Sequence, residues 1–135
     1  MSKKDNKAVV IDFYKAIESG NWNLLEDMCQ KDLIFYSQVD SPQHGTASFI
    51  ESEKKNFDAI PGFTINLHDL IAENEKVVAY LIIEGIQSKE MLGISPTGAK
   101  LRFSLLNLFE FRDGKISTKR AHFDMDDIKR QLAKR

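Results

Sequence analysis

Residues 101–124 read LRFSLLNLFEFRDGKISTKRAHFD, and the way this stretch is read decides the fold. Leu101, Phe103, Leu105, Phe109 and Phe111 share one parity, the period of a strand with one face turned to a core. Arg112-Asp113-Gly114-Lys115 follows, and Asp-Gly accepts the positive φ values of a type I′ turn. The combination predicts a β-hairpin of long strands, the second running to about Asp124. On that second strand Thr118, Arg120, His122 and Asp124 fall on one face. Asp124 then has two readings. It is either a carboxylate at the end of a strand, able to act as a base, or the N-cap of a short terminal helix marked by Ile128 and Leu132.

Upstream of the hairpin the β pattern continues. Val77–Glu84 is nearly unbroken in apolar residues, as a central strand is. Phe63, Ile65 and Leu67 alternate with polar partners, and the polar run 73–76 reads as a turn. Gln87–Leu92 reads as a further strand, followed by a loop over GISPTGAK (93–100). The first third of the chain is helical instead. Val10, Phe13, Tyr14 and Ile17 recur at helical spacing across 5–19, and Gly20 ends the run. Asn21 or Asn23 caps a second helix carrying Leu24, Leu25 and Met28. Leu33–Ser37 is a short strand before the turn-rich DSPQHG (40–45). Ser48-Phe49-Ile50-Glu51 has the form of a capping box opening a third helix through Phe57, with Pro61-Gly62 as its stop. Helices followed by a meander of antiparallel strands make an α+β fold. A curved antiparallel sheet wrapped around the N-terminal helices leaves room for an apolar pocket.

Composition narrows the function classes. With 135 residues and no repeat or linker, the chain reads as a single domain over 1–135. Nineteen basic residues against 20 acidic ones give no field that favours nucleic acid or a membrane surface. Lysines and arginines gather only at the tips, at Lys3, Lys4 and Lys7 and at Lys129, Arg130, Lys134 and Arg135, as solvated termini do. No run reaches the ~20 apolar residues of a membrane span, and no secretory leader is visible. Cys29 is the only cysteine, so no internal disulfide forms, which fits a cytoplasmic protein. Its apolar neighbours make it a core thiol.

Several residues invite chemistry. Asn107 interrupts an apolar run, so its amide is either satisfied within the sheet or offered to a ligand. Tyr14, Trp22 and Tyr36 are core aromatics whose polar ends need partners, and Tyr14 and Tyr36 can serve as pocket donors. His122 with Asp124 has the spacing of half a metal site but lacks a third ligand, so a proton-shuttling histidine is the stronger reading. His68 and Asp69 point to opposite faces, and His44 lies in a Pro/Gly loop.

The segment MLGISPTGAKLRFSLLNLFEFRDGKI (91–116) resembles the SnoaL-like polyketide cyclases, a family with a cone-shaped fold related to nuclear transport factor two and ketosteroid isomerase. The likeness lies in Leu92-Gly93-Ile94, Pro96-Thr97-Gly98, Lys100, Phe109, Phe111 and Asp113-Gly114-Lys115-Ile116. It extends through TINLHDLIAENEKVVAYLIIEG (64–85), to Gln131-Leu132, and back to FYKAIESGNW. The resemblance implies a cofactor-free aldol cyclisation or isomerisation next to a carbonyl of a hydrophobic small molecule, with neither metal nor organic cofactor. It implies Asp124 as the acid/base; the reading of the residues adds His122 as its catalytic partner and places Arg120, Asn107, Tyr14 and Tyr36 around the substrate. The chain departs from the family at Thr118-Lys119-Arg120, where Glu-His-Trp is usual. Arg120 can depress the Asp124 pKa or hold an anionic group. Ala121 stands where limonene-epoxide hydrolases place an Asp, and the ketosteroid-isomerase base falls near Ser37. The other class left open is a non-catalytic ligand-binding or protein-interaction module. A homodimer is expected, because apolar residues on both faces of 101–111 require cover.

Overall fold

The computed structural model describes residues 5–133; Lys3, Lys4, Lys134 and Arg135 lie outside them. Helix α1 (Asn6–Ser19) is capped by Asp5, whose side chain accepts from Lys7 N at 3.1 Å, and is closed by Gly20 at φ 73°. Helix α2 (Trp22–Met28) leads directly into β1 (Cys29–Tyr36), longer than the short strand expected. A brief β2 (Pro42–His44) precedes α3 (Thr46–Asp58). Strands β3 (Thr64–Glu73), β4 (Lys76–Ile86), β5 (Lys100–Arg112) and β6 (Lys115–His122) follow, then α4 (Met125–Leu132). The six strands form one curved, unclosed sheet in the order β2-β1-β6-β5-β4-β3. All neighbours are antiparallel except β1 and β6, whose parallel pairing matches Tyr36 with Arg120.

The hairpin holds as read. Asp113 and Gly114 stand at φ 53° and 77°, both positive as a type I′ turn requires. Along β5 the odd-numbered side chains from Leu101 to Phe111 face inward, opposite Val77, Ala79, Leu81 and Ile83 of β4. Against this wall α1 sets Val10, Phe13, Tyr14 and Ile17, and Phe13 meets Phe109 edge to face at 5.4 Å. Helix α4 buries Ile128 and Leu132. Gln131 fixes it by bonding the N–H and the C=O of Arg102, both at 2.8 Å.

Two local readings are corrected. Helix α3 starts at Thr46 after Gly45 (φ 94°), so Ser48 is inside the helix and caps nothing. The buried Thr46 hydroxyl donates to Gln30 O at 2.5 Å, which anchors that end to β1. Gln87–Leu92 is not a strand. The buried Gln87 amide donates to Lys89 O (3.0 Å) and Ile94 O (2.8 Å), so a side chain ties the segment into a loop where a ladder was expected. Leu92 and Gly93, at φ 53° and 77°, turn the chain there.

The third departure matters most for the site. Glu110 pairs with Thr118 but Phe111 with Ile116, so Ser117 is an extra residue in β6. Its hydroxyl donates to Glu110 O at 3.1 Å. A bulge of this kind exchanges the two faces of a strand beyond it. Ile116 faces the core, and after the bulge the odd-numbered residues Lys119 and Ala121 face it too. Thr118, Arg120 and His122 share a face as expected, but it is the outer one.

Candidate functional site

Between the concave sheet, α1, α3 and α4 lies a cavity of about 380 Å³, within the ~300–1,000 Å³ usual for small-molecule sites. Phe35, Phe49, Ile83, Phe103, Leu105 and Phe123 contribute much of its apolar wall, and Met91 and Met125 narrow it. Asn107 sits in the sheet between Ala79 of β4 and Ala121 of β6, its ladder partners. Two alanines beside it leave space that larger side chains would fill.

Besides Tyr36 and the exposed Ser37, Gln43, Ser48, Ser52 and Asn56, four polar groups line this space. Asn107, 1 % exposed, donates through Nδ2 to the Tyr14 hydroxyl, while its Oδ1 is buried with no partner among the described residues. An unpartnered buried carbonyl is costly, and a ligand donor would relieve it. Burial pushes the Tyr14 phenol far above its ordinary pKa; the Asn107 bond lowers it and the Glu53 charge raises it again. Tyr14 therefore stays protonated, and its own O–H remains a donor.

The other two groups are Glu53 and Lys119. Glu53 comes from α3, in register with Phe49 and Phe57 on the buried stripe of that helix. Burial raises its pKa, against the lowering effect of Lys119. Lys119 comes from β6 beyond the Ser117 bulge and is 6 % exposed. Its Nζ lies 5.4 Å from the centre of the Phe49 ring and 5.9 Å from that of Phe109. Burial lowers its pKa, while Glu53 and Cys29 raise it. The arrangement thus offers a phenol donor, a bare amide acceptor, and a carboxyl and an amine both displaced toward their neutral forms.

The residues singled out from sequence divide into two sets. Tyr14 and Asn107 line the cavity and bond each other. Tyr36 borders both the cavity and a smaller hollow of about 230 Å³ lined in part by Val39, Arg120 and His122. Arg120 stacks on Tyr36, its Cζ 4.1 Å from the ring centre. Asp124 lines neither space. It is exposed, and its Oδ1 accepts from Asp127 N at 3.0 Å as the N-cap of α4. Among the described residues Arg120 makes no ion pair with it, and no cluster of three metal-binding side chains occurs. Cys29 is buried, its thiol pushed up to about 12 by burial.

Glu53 and Lys119 escaped the sequence reading. Glu53 was legible: Phe49, Glu53 and Phe57 recur at four-residue spacing, so a carboxylate interrupts an apolar stripe. Lys119 was not, because its inward direction depends on the bulge.

No curated protein sequence matches the chain. Solved structures do match its shape. A SnoaL-like protein of Jannaschia sp. CCS1 superposes with a TM-score of 0.91 at 16 % identity, over 98 % of this chain and 94 % of that one. AclR of Streptomyces galilaeus gives 0.85 at 20 % identity, over 97 % of each chain. An LEH-like epoxide hydrolase of M. tuberculosis gives 0.75 at 18 %, over 96 % of this chain and 90 % of that one. At these identities the likeness is one of fold. The family profile reaches further, matching residues 8–132, and by that match the chain belongs to the SnoaL-like polyketide cyclase family.

Proposed function

We propose that the cavity binds a hydrophobic small molecule carrying a carbonyl, and that the protein moves a proton at the adjacent carbon, as an aldol cyclase or isomerase does. One observation carries this reading: Tyr14, Asn107, Glu53 and Lys119 converge on one largely apolar cavity. The Tyr14 hydroxyl is suited to hold the carbonyl oxygen, where negative charge develops as the proton leaves. Glu53 and Lys119, both drawn toward neutrality, are suited to take and return a proton. The apolar walls hold a flexible chain folded, which converts a rare encounter of its ends into a local one. No metal or organic cofactor enters the scheme.

In this reading Asp124 is the cap of α4, and Arg120, His122 and Tyr36 shape the outer rim. The competing assignment makes Asp124 the base with His122 as its shuttle. Exchange of α-hydrogens for deuterium in an apolar 1,3-diketone, followed by proton NMR, separates the two. Exchange should fall at least about 100-fold in Glu53→Gln, the usual scale of general acid/base catalysis, and stay near the parent rate in Asp124→Asn. The reverse pattern would return the base to Asp124. A second reading, a non-catalytic binding module, is favoured by Ala121, which opens onto the cavity without a carboxylate. Tight binding with no exchange above buffer would establish it.

A further inference from the structure

The cavity contains a primary amine in an unusual setting. Lys119 reaches it from β6, almost wholly buried, between the rings of Phe49 and Phe109. Among the described residues it closes no direct ion pair with a carboxylate. An ammonium has three N–H donors to satisfy, and burying them without acceptors is expensive. The two rings attract a cation, and Glu53 favours it as well. Burial is the largest influence on the Lys119 pKa and lowers it, while burial raises that of Glu53. A proton passed from the ammonium to the carboxylate neutralises both groups without exchange with solvent. Cys29 lies in the field of Lys119 but does not compete as a nucleophile, because its buried thiol stays protonated.

We infer that Lys119 is a nucleophile that forms a Schiff base with the carbonyl of a ligand in this cavity, an apolar ketone or 1,3-diketone. This rests on the reading above that the cavity accepts carbonyl compounds. The amine lone pair adds to the carbonyl carbon, and the C=O π pair moves to oxygen. The oxygen takes the Glu53 proton and the nitrogen gives one back to the carboxylate, leaving a neutral carbinolamine. The Glu53 carboxyl then protonates its hydroxyl, water departs with the C–O pair, and the nitrogen lone pair closes the C=N bond, leaving an iminium beside the Glu53 carboxylate. The resulting iminium withdraws electrons from the next carbon, so its C–H becomes easier to remove. Tyr14 and Asn107 remain to bind a second oxygen, as a 1,3-diketone would supply. Lys119 is then a catalytic residue, and the departure from the family at 119 is a change of chemistry.

Trapping on the full-length chain tests this. Cyclohexanone is the probe, and sodium cyanoborohydride reduces any iminium to a stable secondary amine by adding hydride at carbon. Peptide mass spectrometry then locates the adduct. An exposed lysine is unprotonated in only about one molecule in 2,500 at pH 7. Labelling at Lys119 should therefore run at least about tenfold faster than at any exposed lysine. The preference should vanish in urea, a control that needs no variant. Lys119→Met, which keeps the aliphatic volume, should abolish it, and Glu53→Gln should slow it. Labelling spread over exposed lysines in the native protein, with Lys119 spared, would overturn the inference. If the ketone still raised the thermal midpoint in that case, the binding reading would stand alone. With neither label nor midpoint shift, both would fall.

Discussion

Glu53 and Lys119 give a stability signature that can be worked out in sign and size. Lys119→Met keeps the aliphatic volume between Phe49 and Phe109 while removing the charge, so packing changes little. What changes is Glu53, half-buried and now without a cation nearby. Losing one partner of a buried pair costs about 3–5 kcal/mol when the ions touch. These two act through space and can neutralise, so about 1–3 kcal/mol is expected here. The pH dependence fixes the sign. In Lys119→Met the folded-state pKa of Glu53 is raised, so the folded form binds the extra proton. Stability is then greatest below the unfolded carboxyl pKa and declines as pH rises through the folded one. In Glu53→Gln the folded-state pKa of Lys119 is lowered, so stability is greatest above the unfolded lysine pKa and declines as pH falls through the folded one. The two single variants should therefore tilt in opposite directions. The double variant should be nearly flat and within about 1 kcal/mol of the parent, since replacing both members of a buried pair is often neutral. Urea unfolding at acidic, neutral and alkaline pH measures all of this. Parallel pH profiles, with single-variant costs adding to within about 0.5 kcal/mol, would refute the idea that the groups share one buried environment.

Asp124→Ala should cost about 1 kcal/mol through the lost cap bond to Asp127, and Asp124→Asn much less, as thermal melts will show. Gly85→Ala places a Cβ 3.0 Å from Ile60 Cβ and 3.3 Å from Phe63 Cβ, so a loss of about 1–3 kcal/mol in urea unfolding is expected. Cys29 should ignore an aromatic disulfide reagent at neutral pH until the protein unfolds, and rapid native labelling would contradict its buried, protonated state. Leu106, 47 % exposed on the outer face of β5, is the kind of surface a second copy covers. Light scattering at micromolar concentration should return twice the mass of the chain.

Much of this fold is legible in local pattern, and its exceptions share a cause. The turn at Asp113-Gly114, the alternation in β5 and the Gly20 stop of α1 depend on near neighbours, so sequence shows them. The start of α3 depends on Thr46 bonding Gln30, the loop at 87–94 on one buried amide, and the parallel β1–β6 pair on residues far apart in the chain. Such contacts override local signals such as the capping box at Ser48. The site divides the same way. Asn107 announces itself as an amide in an apolar run, and Tyr14 as part of an apolar helix face. Lys119 and Arg120 exchange faces because of one extra residue at Ser117, and alternation alone cannot reveal a bulge. The resemblance to the family pointed correctly to the cone. Glu53 leaves a trace in the apolar stripe of α3, whereas the inward turn of Lys119 shows only in the geometry.

Backbone amide chemical shifts recorded while an apolar 1,3-diketone is added show which of the two spaces takes the ligand. If the inner cavity is the binding site, the largest changes fall at Tyr14, Glu53, Asn107, Lys119 and Ala121, with Asp124 and His122 nearly still. Changes centred on Arg120, His122 and Asp124, with the inner cavity silent, would contradict it.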